Sequence, residues 1–197
     1  MRPKTCIVLA TKLEAKPILQ TCKLETSFVK GPLEVFHSDR FDLAIVGIGP
    51  VRSAISTGFL SSMDHEAWVN LGVAGSLNDD YSFKDVLEVG RCFSRDDKHP
   101  FDRSCDEILL KEDGVSLVTV GKAIHNDNDR LSLGKEADLV DMEGYSIAMS
   151  AKMFDKKLRM LKVVSDDASD QSVEQVVKNI PECMQKLWNK VEFDDLK

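Results

Sequence analysis

The sequence predicts a single-domain α/β fold in three layers, with helices on both sides of a mostly parallel or mixed central sheet, over residues 1–197. Three observations predict it. Short apolar runs alternate with stretches of helical period, the pattern of buried strands joined by crossover helices. A chain of 197 residues buries roughly 70% of its unfolded surface, enough for a core without staples. The hydrophobic share is 43% and the charged share 30%, as in globular domains, and no repeat or linker rich in Pro, Gly or Ser interrupts the chain.

Cys6–Ala10 reads as the first buried strand. Thr11 caps the helix that follows, and Glu14, three residues on, completes a capping-box pattern. Leu33–Phe36 and Leu43–Val46 read as two further strands. Gly47-Ile48-Gly49-Pro50 turns the chain into a helix reaching about Met63, with proline suited to its first turn. Trp68–Leu71 is a strand running into Gly72-Val73-Ala74-Gly75-Ser76. Val86–Val89 and Val115–Val120 read as strands, and the charge-dense segments Arg91–Asp106 and His125–Lys135 as exposed loops. Leu139-Val140 leads into a helix from about Met142 to Phe154. Met160–Val164 is a strand ending at Ser165-Asp166-Asp167, and an amphipathic helix runs from about Ser172 to Trp188.

Charge and cysteine usage exclude several classes. Twenty-six basic residues stand against 33 acidic ones, a net charge of −7, whereas a nucleic-acid binder needs a positive footprint. The five cysteines, Cys6, Cys22, Cys92, Cys105 and Cys183, are odd in number, widely spaced and form no C-x-x-C, which favours a reducing compartment over a disulfide framework or zinc knuckle. The apolar run after Met1 is only Cys6–Ala10, too short for a secretory leader, and no stretch approaches the ~18 apolar residues of a membrane span. The expectation is a soluble cytoplasmic protein with neither nucleic-acid nor membrane partners.

Familiar cofactor motifs fail. Gly47-x-Gly49 follows a strand, but the third glycine of a dinucleotide fingerprint falls on Arg52. No phosphate-binding G-x-x-x-x-G-K-[ST] occurs. His65-Glu66 lacks the second histidine of H-E-x-x-H and the P-C-x-x-C of a zinc deaminase. His37, His65, His99 and His125 are scattered. Lys152, Lys156, Lys157 and Arg159 lie near a helix end, where basic residues suit the dipole.

In parallel sheets ligands bind beyond the carboxyl ends of strands. That rule singles out Glu14, Gly47–Gly49, Gly72–Ser76 and Asp166. Each also has a purely local reading. Glu14 can serve only as the partner of Thr11. Asp141 can cap a helix and leave Glu143 as a first-turn acid. Asp166 can be a turn residue, Met142 can be core, and the glycines can be tight turns.

Five strings in order, Leu13-Glu14-Ala15, Val46-Gly47-Ile48-Gly49, Asn70-Leu71-Gly72-Val73-Ala74-Gly75, Val140-Asp141-Met142-Glu143-Gly144 and Val163-Val164-Ser165-Asp166, together resemble the nucleoside phosphorylase/nucleosidase family. They are most similar to its hydrolytic branch, the 5′-methylthioadenosine/S-adenosylhomocysteine nucleosidases and futalosine nucleosidases. The resemblance covers nearly the whole chain and implies a nucleoside phosphorylase-like fold. It implies that Glu14 activates the attacking water and that Asp166, supported by Ser165, protonates purine N7. Glu143 would hold the ribose hydroxyls and Met142 would pack beneath the sugar. Ile48 and Gly49 would approach the ribose, Ala74 and Gly75 would line the substrate site, and Ile124 and His125 would flank the purine. No metal or organic cofactor is implied, the ligand is a small purine nucleoside, and the family tends to form homodimers.

The chemistry agrees with these residue types. N-glycosidic cleavage passes through an oxocarbenium-like sugar, so the leaving base must gain a proton while the water loses one. Two carboxyl groups in different environments can do both, and a third can bind hydroxyls and steady the positive sugar. Phosphorylases of the family bind phosphate with arginine near the glycine-rich strand end, yet residues 70–76 contain none, which favours hydrolysis. Lys162, four residues before Asp166, stands where relatives often carry arginine and is placed to orient Glu14 or the water. The chain is short for the family around Arg91–Ser116 and Asp170–Val176, regions that help enclose the 5′ substituent. That implies a more open pocket, suited to futalosine or 6-amino-6-deoxyfutalosine of menaquinone synthesis as well as methylthioadenosine and S-adenosylhomocysteine, with adenine or hypoxanthine released. The alternatives are a phosphate-dependent phosphorylase and a non-catalytic nucleoside-binding protein.

Overall fold

The computed structural model describes residues 4–96, 107–124, 126–169 and 173–191. Their order is β1 (Lys4–Leu9), α1 (Lys12–Thr21), β2 (Glu25–Lys30), β3 (Leu33–His37), β4 (Phe41–Ile45), α2 (Pro50–Leu60), β5 (His65–Ser76) and β6 (Val86–Ser94). Then follow β7 (Ile108–Leu109), β8 (Val115–Thr119), α3 (Asp127–Leu133), β9 (Leu139–Asp141), α4 (Gly144–Met153), β10 (Lys157–Asp166) and α5 (Val173–Lys190). The architecture is a mixed α/β fold on one ten-stranded sheet.

Twelve-residue β5 is the axis of that sheet. It pairs in parallel with β1 on one edge and with β10 on the other. Beyond β1 the sheet continues through parallel β4 and antiparallel β3 and β2. Beyond β10 come antiparallel β6 and then parallel β8 and β9. The last two residues of β5, Gly75 and Ser76, then pair antiparallel with Val140 and Leu139 of β9. Strands β5, β10, β6, β8 and β9 therefore close into a ring, which brings the ends of β5, β9 and β10 together.

Both faces of the central strands are buried, which is why they read as unbroken apolar runs. Ile7 and Leu9 of β1 join Leu43, Val69 and Val163 in a core with Ile18 of α1 and Met184 and Leu187 of α5. Cys6 and Val8, on the opposite face, join Ala44 and Trp68 with Leu60 of α2 and Ile147 of α4. No helix among the described residues is long and apolar enough to cross a membrane.

Two loop expectations are corrected. Arg91–Ser94 complete β6, with Cys92 and Phe93 buried, because β8 and β7 pair along that stretch; residues 97–106 lie outside the described set. The segment expected as a loop from His125 to Lys135 holds α3. Asn126 caps it by accepting the Asp129 N–H at 2.9 Å, and Leu133 is buried beneath it. Strand β2 was not expected, because most of its residues are exposed and it carries no apolar run.

Trp68 is 1% exposed, and its indole N–H finds no acceptor among the described residues. A buried unpaired donor costs free energy that its removal recovers. Trp68→Ala is expected to lose roughly 3–5 kcal/mol, whereas Trp68→Phe, which deletes the donor and keeps an aromatic ring, should lose clearly less. Urea unfolding of both variants measures the difference, and equal losses would show that the N–H is satisfied.

Candidate active site

The local sequence at β1 builds the first functional group. Thr11 accepts the Glu14 N–H at 3.1 Å, and Glu14 Oε2 accepts from the Thr11 N–H at 2.9 Å and its hydroxyl at 3.0 Å. The capping box is real, yet it engages only one carboxylate oxygen. Oε1 turns toward β5, where the Val73 N–H donates to it at 3.3 Å. A Cβ at Gly72 would lie 3.1 Å from that oxygen and 3.3 Å from Lys162 Nζ, so the missing side chain opens the space that both groups share.

Lys162 is the middle of β10 and is 2% exposed. Its ammonium lies 2.8 Å from Asp141 Oδ2 at the end of β9. Asp141 also accepts the Thr119 hydroxyl at 2.6 Å and the Gly144 N–H at 2.8 Å, while the Tyr145 N–H donates to Thr119 Oγ1 at 2.8 Å. Asp141 thus accepts the first N–H of α4 and also holds the buried cation, while Glu143 takes the N-cap position rather than the first-turn place its local reading expects. Glu143, 9% exposed, accepts the Gly49 N–H at 2.8 Å through Oε1. Gly49 has φ of +94°, which a glycine adopts freely and which aims that N–H across the site.

Asp166 owes its place to a β-bulge. Val164 pairs with Ala74 and Asp166 with Gly75, so Ser165 is an extra residue in β10. The bulge re-aims the carboxylate over Gly75, where a Cβ would come within 2.9 Å of Oδ1. The Ser165 hydroxyl donates to Oδ2 at 2.7 Å and the Ala168 N–H to Oδ1 at 2.9 Å.

These groups border one cleft of about 200 Å3. Glu14, Ile48, Ala74, Gly75, Ile124, Met142, Glu143, Ser165 and Asp166, all named from the sequence, line it together. Gly49 takes part through its N–H on Glu143, and His125 lies outside the described residues. Sequence reasoning missed Thr11, Val73 and Asp141 as lining groups, together with aliphatic Val120, Val176 and Ile180. A lysine inside the apolar run Met160–Val164 was the available signal for the ion pair, since an unpaired buried lysine is costly.

One ammonium faces three buried carboxylates. Burial pushes the Glu14 carboxyl up, opposed by Lys162, the Val73 N–H and Thr11. Burial, Asp141 and Glu14 raise Glu143 to about 8, against the Gly49 N–H and Lys162. Burial opposes the charge on Lys162, but Asp141, Glu143 and Glu14 outweigh it and hold the amine protonated above its usual range. Burial thus pushes the carboxyls of Glu14 and Glu143 up, while the surrounding carboxylates keep the positive charge on Lys162.

Lys162→Met should therefore destabilise the fold by about 3–5 kcal/mol at neutral pH, since it leaves buried carboxylates without a countercharge. The deficit should shrink on acidification as those carboxylates take up protons, and denaturant unfolding at two pH values reads both effects. A loss that does not change with pH would count against the charge argument.

No family model matches the chain, and neither does any curated protein. Solved structures do. Futalosine hydrolase of Helicobacter pylori strain 26695 is similar with a TM-score of 0.84 at 22% identity, covering 93% of each chain. The 5′-methylthioadenosine/S-adenosylhomocysteine nucleosidase of S. pneumoniae, solved with a transition-state inhibitor, gives 0.81 at 18% identity over 94% of this chain and 95% of that one. The Helicobacter pylori enzyme of the same name, with an Immucillin inhibitor, gives 0.79 at 20% identity over 93% and 94%. Along nearly its whole length the chain carries the fold of these nucleosidases.

Proposed function

We propose that residues 1–197 form one nucleosidase domain, helices layered on both faces of the sheet, that hydrolyses the N-glycosidic bond of 5′-modified purine nucleosides. The observation that carries this reading is the charge pattern of the cleft. Glu14, Glu143 and Asp166 converge on it, no lysine or arginine is among the described lining residues, and the one ammonium beside it is bound to Asp141. Such a site suits a sugar that becomes positive and offers no free cation to a phosphate nucleophile.

The residues divide the work. Asp166 gives a proton to purine N7 as the C1′–N9 bond breaks. Glu143 accepts the ribose hydroxyls and steadies the oxocarbenium-like sugar. Glu14 takes the proton of the attacking water, with Lys162 beside it. Val176 and Ile180 give the 5′ substituent an aliphatic wall, while Met142 packs beneath the sugar and Ile48 approaches the ribose. The futalosine hydrolase and the methylthioadenosine/S-adenosylhomocysteine nucleosidases of the same fold support the substrate class, with adenine or hypoxanthine as the released base. The cysteine pattern supports a cytoplasmic setting.

The same reading includes a homodimer. Val51, Ile55 and Phe59 of α2 are 71%, 65% and 40% exposed at a spacing of four residues, one apolar stripe on one helix face. The stripe continues into exposed Ile48, which lines the cleft. A second copy seated there would cover the stripe and the cleft mouth together. Ile55→Glu should convert a dimer to a monomer in sedimentation, and an unchanged sedimentation coefficient would place any interface elsewhere.

In phosphate-free buffer the protein is expected to release free base from one or more of methylthioadenosine, S-adenosylhomocysteine, futalosine and aminodeoxyfutalosine, and their ranking identifies the preferred 5′ group. Asp166→Asn should lower turnover by roughly 10²–10⁴-fold while nucleoside binding persists. Base release that appears only with added phosphate would make the protein a phosphorylase, and binding without release in either buffer would make it a nucleoside-binding protein.

A further inference from the structure

Asp166 belongs to two cavities. Besides the candidate active-site cleft, a second cavity of about 560 Å3 opens on the segment, and Ser165 and Asp166 are the residues common to both. The two differ in chemistry. The cleft is walled largely by aliphatic side chains such as Val120, Val140 and Ile180. The second cavity is more polar, with Ser82, Asp167, Gln175 and Asn179 on its wall beside Tyr81, Phe83 and Val164. Polar groups so placed give water hydrogen-bond partners along the wall.

Proton bookkeeping gives the second cavity a task. This rests on the hydrolytic reading above. In one turnover the C1′–N9 bond breaks, the Asp166 proton passes to N7, water adds as hydroxide to C1′, and the other proton of that attack passes to Glu14. Asp166 ends one proton short and Glu14 one proton in excess. The next turnover needs a proton delivered to Asp166 and one removed from Glu14. A base and sugar in the cleft cover Asp166 on that side, while the second cavity still borders it.

We propose that the second cavity is the route by which protons return to Asp166, carried by water or a small general acid, independently of the substrate cleft. The bulge that inserts Ser165 sets the carboxylate in the partition between the two spaces, and the Ser165 hydroxyl on Oδ2 and the Ala168 N–H on Oδ1 receive the newly formed carboxylate.

The test plugs the cavity from residues that do not line the cleft. Ser82→Trp fills it from the loop after β5, Gln175→Trp fills it from α5, and Ser82→Ala controls for the lost hydroxyl. Rapid-quench base release separates the first turnover, which needs no proton returned to Asp166, from the steady state. The plugged variants are expected to keep the first-turnover rate and to lose roughly tenfold or more in steady-state rate, with recovery on adding imidazolium buffer. Ser82→Ala should match the parent protein. Either tryptophan variant that melts normally suffices. An unchanged steady state in a plugged variant, or first-turnover and steady-state rates that fall together, would overturn the route. Absence of base release from the unsubstituted protein would instead overturn the nucleosidase reading on which it rests.

Discussion

The contact between Lys162 and Asp141 is the constraint on which the rest of the site depends. A buried ammonium is tolerable only beside a carboxylate with its remaining lone pairs satisfied. Thr119 and the Gly144 N–H satisfy them, so the end of β8, the end of β9 and the start of α4 are all tied to one side chain of β10. The pair joins segments about one helix apart in sequence and fixes where Glu143, two residues past Asp141, enters the cleft. It also sets the electrostatics. With its charge committed to Asp141, Lys162 tempers Glu14 and Glu143 without presenting a free cation to an anionic ligand.

Topology supplies the remaining placement. The parallel run of β4, β1, β5 and β10 ends on one side of the molecule, where Glu14, Gly49 and Asp166 are exposed to a common space. The ring that brings β9 back to the end of β5 adds Asp141 and Glu143. Two glycines in β5 make room rather than turns. Gly72 admits Glu14 and Lys162, and Gly75 admits the Asp166 carboxylate, so the strand at the centre of the sheet is bare of side chains where the acids cross it.

Most of this was legible in the sequence, and the exceptions share a cause. Buried strands such as Cys6–Ala10 announce themselves by composition, and Glu14 by its spacing from Thr11. The local and functional readings of Glu14 proved compatible, because one oxygen closes the capping box while the other faces β5. Features created by pairing were not legible. The bulge at Ser165 exists only relative to Gly75, and the partner of Lys162 is known only once β9 meets β5. The helix at Asp127–Leu133 was missed because its few apolar residues give no period, although Asn126 and Asp129 stand at cap spacing. The segment Trp68–Leu71 was read short because glycines end most strands, whereas here β5 runs through them to Ser76.

The position of β10 also shapes how the chain reaches this structure. Residues 157–166 fill the slot between β5 and β6, two strands made long before them. During synthesis, β5 pairs early with β1 but keeps its other edge open until the last strand emerges. An open edge over Ala67–Gly75, the stretch that β10 later covers, is an invitation to pair with another chain. Ring closure also joins segments some ninety residues apart, an ordering that favours slow, late-committing folding over local assembly. The same strand carries Lys162, Ser165 and Asp166, so the buried cation and the carboxylate over Gly75 arrive with the piece that completes the sheet. A nascent or truncated chain lacking that strand holds neither a sealed edge nor a complete cleft, and the cleft is completed only at the moment the chain becomes safe from aggregation.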